Sequence, residues 1–113
     1  MPGALLRLLI TAIAIVVAAY LLPGYLVVGG VESVLLFALV LAFLNALVRP
    51  LLLLFTLPLN LITLGLFTFV VNAIVFWLAA QFPLGVYVSG FAGAFLAAII
   101  VSAVSFVLSK AVP

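Results

Sequence analysis

LNALVRPLLLLFTLPLNLITLGLFTFVVN, residues 44–72, carries the punctuation that divides this chain. Arg49-Pro50 closes the apolar run that begins near Ser33, a plausible helix cap after Gly29-Gly30. Another run opens at about Ile62 and lasts to Gln81, just before Pro83. Outward on the N-terminal side, Ala4 to Leu22 is apolar and stops at Pro23-Gly24, a strong breaker pair. Outward on the other side, Gly90 to Ser109 forms the last run. A membrane-crossing helix needs about 20 largely apolar residues. The expected fold is therefore all-α and membrane-integral, one transmembrane domain over 1–113 with spans at 4–22, 33–48, 62–81 and 90–109.

Composition leaves few alternatives. Hydrophobic residues make up 73% of the chain and charged residues 4%, with mean hydropathy +1.84. Three basic side chains and one acid cannot cover a water-soluble surface, so the apolar surface must face lipid. There, only helices or a closed barrel satisfy the backbone. Barrel strands would alternate polar and apolar residues, and these runs do not alternate. The chain has neither Cys nor His, which removes disulfides, thiol chemistry and metal sites built on thiolate or imidazole. A net charge of +2 with Arg7, Arg49 and Lys110 scattered gives no patch for nucleic acid, and no cofactor is expected.

Four spans place Arg7, Arg49 and Lys110 on one side and Glu32 on the other. The positive-inside rule then puts both ends of the chain in the cytoplasm. The first run also fits a signal peptide with cleavage after Val17-Ala18-Ala19; the expectation here is a retained span. Pro50 to Leu61 is too short, at ~1.5 Å per residue, to cross a ~30 Å core and return. Residues 50–61 read as a short re-entrant or interfacial helix, with Pro50 in its first turn and a break near Pro58. The alternative is one kinked third helix from Leu51 to Gln81.

Sliding the chain by sixty residues sets Pro23 on Pro83, Gly30 on Gly90, Leu36 on Leu96 and Asn45 on Ser105. Two duplicated helical hairpins in the same orientation, related by a pseudo-twofold along the membrane normal, would produce this pattern. Convergence on helix, turn, helix would also produce it. Tyr25-Leu26-Val27-Val28 and Val86-Tyr87-Val88 are β-branched and aromatic between turn formers. They read as short extended segments that pair with each other on the outer face.

Polar residues inside the spans are the candidates for function. Asn45 lies one helical turn before Arg49, and Asn60 one turn from Thr56 and Thr63. A buried amide costs several kcal/mol in hydrocarbon unless it is hydrogen-bonded. Asn45, Arg49, Asn60, Thr63 and Asn72 therefore form a candidate polar cluster. It would either tie the 50–61 segment to its neighbours or contact a lipid headgroup. Gly90, Ala94, Ala98 and Ser102 recur every fourth residue, the small-residue spacing that lets helix backbones approach. That face serves either packing within the chain or contact between copies. No acid–base pair or activated nucleophile emerges, because Glu32, Lys110 and the tyrosines lack partners by spacing and the serines lack a base. The chain does not read as an enzyme.

The signature of Asn45, Arg49-Pro50, Leu57-Pro58, Thr63-Leu64-Gly65-Leu66-Phe67 and Asn72 resembles phage holin superfamily IV, the mycobacterial four-span phage holin type. The resemblance extends over nearly the whole chain. It implies a small bacterial cytoplasmic-membrane protein with four spans and, by the family's name, a pore-forming role. Two other readings stand beside that one. One is a non-enzymatic structural or interaction protein of the envelope, in contact with membrane lipids and acting as a homo-oligomer or with a membrane-protein partner. The other is a small multidrug-type exporter, which needs a membrane-embedded acid that Glu32, at a helix end, does not supply.

Overall fold

The computed structural model describes residues 2–54 and 61–111, with side chains for 3–47, 50 and 66–111. Among them are four helices and two short strands: α1 (Pro2–Leu21), β1 (Leu26–Val28), α2 (Val31–Leu54), α3 (Leu61–Ala80), β2 (Val86–Val88) and α4 (Gly90–Ala111). Two helices are long and apolar enough to cross a membrane by length and composition, Gly3–Leu21 and Gly90–Ala111. The described apolar parts of the other two are shorter, Val31–Leu47 and Leu66–Ala80.

The second helix departs from expectation at its end. It does not stop at Arg49-Pro50 but runs through Pro50 to Leu54. Proline lacks the N–H that would bond the carbonyl four residues back, here that of Ala46. Apolar spans tolerate such a loss when neighbouring groups re-satisfy the carbonyl. Residues 50–54 thus belong to α2 rather than to a separate re-entrant helix, and the third helix starts at Leu61, not Leu51. The rest of that segment, 55–60, lies outside the described residues.

The expected extended segments do pair. β1 and β2 are antiparallel, with Leu26 opposite Val88, Val27 opposite Tyr87 and Val28 opposite Val86. A two-stranded sheet is marginal by itself. This one is held because alternation turns Leu26, Val86 and Val88 into the protein, all buried, while Val27 and Tyr87 point away. The sheet is a lid on one end of the bundle. Gly93 lets α4 come up beneath it: a Cβ there would meet the Tyr25 carbonyl oxygen at 3.0 Å and the Ser89 Cβ at 3.2 Å.

Burial repeats along the two halves. In α2, Val34, Phe37, Ala38 and Leu41 are buried, and sixty residues on, Ala94, Ala97, Ala98 and Val101 are buried. In α1, Ile10, Ala12, Ala14, Ile15 and Ala18 are buried. Their counterparts in α3 are Val71, Ala73, Val75, Phe76 and Ala79, displaced by sixty-one. The connection from Ala18 to Leu26 is one residue longer than that from Ala79 to Val86, which accounts for the change of offset. The helices pair across the halves, α1 with α4 and α2 with α3, as well as within them.

Inside are small and β-branched residues around an edge-to-face pair, Phe37 and Phe76, with ring centroids 4.9 Å apart. Outside are large apolar side chains: Leu5, Leu9 and Ile13 on α1, Leu39, Phe43 and Leu47 on α2, Leu66 and Phe69 on α3, Phe106 and Val107 on α4. A water-soluble monomer rarely exposes a contiguous apolar patch beyond a few hundred Å². Bulky residues outward and small residues at the contacts are the arrangement of helices packed in lipid.

Candidate functional site

Each half contributes to one polar crevice between the helices. It has a volume of about 130 Å³, room for several waters, and its polar lining is Thr11, Asn45, Asn72, Ser102 and Ser105. Leu41, Phe76, Ala98 and Val101 complete the wall. Six of the nine lining residues fall in three equivalent pairs. Thr11 corresponds to Asn72 at the offset of α1 and α3; Leu41 to Val101 and Asn45 to Ser105 at the offset of α2 and α4. The crevice therefore straddles the axis relating the two halves.

Helix geometry sets its depth. Thr11 is ten residues before the end of α1 and Leu41 ten after the start of α2, so both lie about 15 Å from the sheet end. Between crevice and sheet the axis is filled. Phe37, Phe76 and Ile15 are buried there, and Leu26 closes the top. The crevice and its polar lining lie on the side of that plug away from the sheet.

Hydroxyl and amide groups along the helices find partners locally. Thr11 Oγ1 donates to the Arg7 carbonyl at 2.9 Å, Ser109 Oγ to the Phe106 carbonyl at 2.9 Å, and Gln81 Nε2 to the Trp77 carbonyl at 3.2 Å. Such bonds to the preceding turn let polar side chains exist in an apolar helix without an external partner. No buried polar or charged residue occurs among the described residues, so the half-buried Thr11, Asn45 and Asn72 mark the polar interior.

The expected polar cluster is divided by this geometry. Asn45 and Asn72 meet at the crevice. The side chains of Arg49 and Thr63, and all of Asn60 and Thr56, lie outside the described residues. On α4, Ala94 and Ala98 are buried within the chain, Ser102 is half-buried in the crevice wall, and Gly90 is exposed. The buried stripe is Gly93, Ala94, Ala97, Ala98 and Val101, one residue wider than the fourfold spacing alone would give.

Thr11 is the crevice residue that sequence reasoning missed. An ungapped slide of sixty sets Asn72 against Ala12 and hides its polar counterpart; the extra residue in the first connection restores the match. None of the described lining residues supplies acid–base chemistry. Glu32 is in the first turn of α2, thirteen residues and about 20 Å from Asn45 along the helix.

Comparison with known proteins follows the same outline. The family described as mycobacterial 4 TMS phage holin, superfamily IV, matches residues 2–107. An uncharacterized protein of Streptomyces coelicolor is 36% identical over 122 aligned positions, covering 100% of this chain and 98% of its own length. The uncharacterized membrane protein YvlD of Bacillus subtilis is 35% identical over 108, covering 89% of this chain and 91% of its own. No solved structure matches.

Proposed function

This chain belongs to the mycobacterial 4 TMS phage holin family, superfamily IV, and is a membrane protein; from that premise we propose that it is a multi-pass, non-enzymatic protein of the bacterial cytoplasmic membrane that acts by association, with copies of itself or with a membrane-protein partner. The observation that carries the reading is the filled axis. Phe37 packs edge-to-face on Phe76 beneath the Leu26 lid, so one chain is a solid bundle above its crevice. Any passage or scaffold would then be built between chains, not through one. Most of the described residues lie in helices or the sheet lid, so their contacts are made in the membrane or at its surface.

Charge supports an orientation with both ends of the chain cytoplasmic. Arg7 and Lys110 are near the helix ends remote from the sheet, and Arg49 follows in the same end of α2. Glu32 is at the sheet end, together with the exposed Tyr20, Tyr25 and Tyr87. Basic residues favour the cytoplasmic face, and tyrosines the headgroup level. In this reading the four helices span 4–22, 33–48, 62–81 and 90–109.

The family description favours a second reading, a pore made of several copies. Cysteines placed singly on the outward faces of α1 to α4 distinguish the cases, because the native chain has no Cys. Crosslinks between copies or to one partner in native membranes are expected. Their absence from every face would remove both readings.

A further inference from the structure

The equivalent halves differ at one place. Between α1 and α2 the basic end of the bundle opens into a groove of about 740 Å³, lined by Leu5, Arg7, Leu8, Leu39, Ala42 and Asn45 among others. In the second hairpin α3 lies more extensively on α4. The matching positions differ in both directions, with Phe69 for Leu8 and Phe106 for Ala46 but Val101 for Leu41 and Thr68 for Arg7. Ala46 is itself on the groove wall. The groove is a departure from the repeat: the closer seating of α3 on α4 has no counterpart between α1 and α2.

Its polarity is graded along its length. Arg7 is fourteen residues before the end of α1, and Asn45 fourteen after the start of α2. Both therefore stand about 21 Å from the sheet end, level with each other near the mouth, with Ala4, Leu5 and Ala46 just beyond them. Deeper in, the lining is apolar with Leu8, Ala38, Leu39, Leu41 and Ala42, and Thr11 as the exception. Arg7 is the only charged residue among the described lining residues, and none of these is a carboxylate. A cation and an amide at the rim above an apolar trough fit a molecule with an anionic head and a hydrocarbon tail. A guanidinium recognises phosphate through paired N–H donors.

We propose that the α1–α2 groove is a binding site for an anionic phospholipid, its phosphate at Arg7 and Asn45 and one acyl chain along Leu8, Ala42 and Leu39. A second copy of the chain is the competing occupant. Charge decides against it: a helix of this chain would have to bring an acid to Arg7, and the only acid, Glu32, belongs to the opposite end of the bundle.

The test is native mass spectrometry of the full chain released from nanodiscs of phosphatidylglycerol or of phosphatidylcholine with matched acyl chains. Both lipids offer a phosphate to Arg7, but only phosphatidylglycerol lacks a choline cation to offset it, so wild type is expected to retain phosphatidylglycerol better, by about ten-fold. Arg7→Gln should abolish the preference, and Arg7→Lys should keep most of it. Ala46→Phe, which installs the residue of the other half, should lower retention of both lipids while leaving the charge in place. Inorganic phosphate at millimolar concentration should not displace the lipid; displacement would reduce the site to a free-anion site and overturn the acyl-chain assignment. Equal retention of the two lipids by wild type, or a preference that survives Arg7→Gln, would overturn the proposal. A photocrosslinker at Leu39 that yields protein dimers rather than lipid adducts would assign the groove to a second copy instead.

Discussion

Val27 and Tyr87, sixty residues apart, face each other at the centre of the two-stranded sheet. They are also each other's counterparts in the two halves, so the register is symmetric about them. Gly29 N donates to the Gly85 carbonyl at 2.8 Å on one side, and Ser89 N to the Tyr25 carbonyl at 2.9 Å on the other. Residues 29 and 89, and 25 and 85, are related by the same sixty. An antiparallel pair of equivalent strands has its local twofold normal to the sheet. Because the sheet lies across the bundle's end, that axis points down between the helices toward the crevice lined by Thr11 and Asn72. The pairing of strands and the pairing of polar residues are two sections of one symmetry.

The register predicts a crosslink. Directly opposed residues of an antiparallel pair have Cα atoms about 4.5–5.5 Å apart, within the range a disulfide spans. The double variant Val27→Cys with Tyr87→Cys should form an intrachain bridge on mild oxidation, seen as faster migration without reductant. Leu36→Cys with Leu96→Cys, equivalent positions exposed on α2 and α4 outside the sheet, should not. A failure of the first pair, or bridging by the second, would contradict the register.

Orientation predicts labelling. Tyr87 is 63% exposed on the lid, and Lys110 is in the last turn of α4 at the other end. In intact cells a membrane-impermeant maleimide should modify Tyr87→Cys, and should modify Lys110→Cys only after permeabilisation. The reverse pattern would invert the protein in the membrane. Labelling of both in intact cells would remove the four-span arrangement.

Packing predicts unequal costs for similar changes. Gly93→Leu forces a side chain against the Tyr25 carbonyl and the Ser89 Cβ, and should lower stability by about 1–3 kcal/mol. Gly3→Leu meets nothing within 4 Å and should be close to neutral. Phe76→Ala removes half of the buried ring pair. In lipid the transfer term is small, so a cost of about 2 kcal/mol is expected in place of the ~3–5 typical of soluble cores. Thermal unfolding in a fixed detergent measures all three.

How far the sequence could be read depends on what each residue announces locally. Pro23-Gly24, Pro83 and the runs between them mark helix ends because breakers act on their own neighbours. The extended segments at residues 26–28 and 86–88 were legible for the same reason, through β-branched residues held between turn formers. Pro50 misled because a proline's local cost does not reveal whether the surrounding helix can bear it. Thr11 was hidden by a single added residue in a connection, which changes the offset of α1 and α3 but not that of α2 and α4. Arg7 read as a scattered surface charge. Only the separation of α1 from α2 places it at a groove, and that separation is a tertiary feature no local stretch of sequence announces.

The filled axis is most directly tested by size-graded dye release from liposomes reconstituted over a range of protein densities, down to an average well below one chain per vesicle. A chain plugged by Phe37 and Phe76 should release no dye at the lowest density. Any release should appear only as copies accumulate, rising more steeply than in proportion to their number. Release from vesicles holding single copies, in proportion to protein, would mean that a path runs through one chain and would contradict the account.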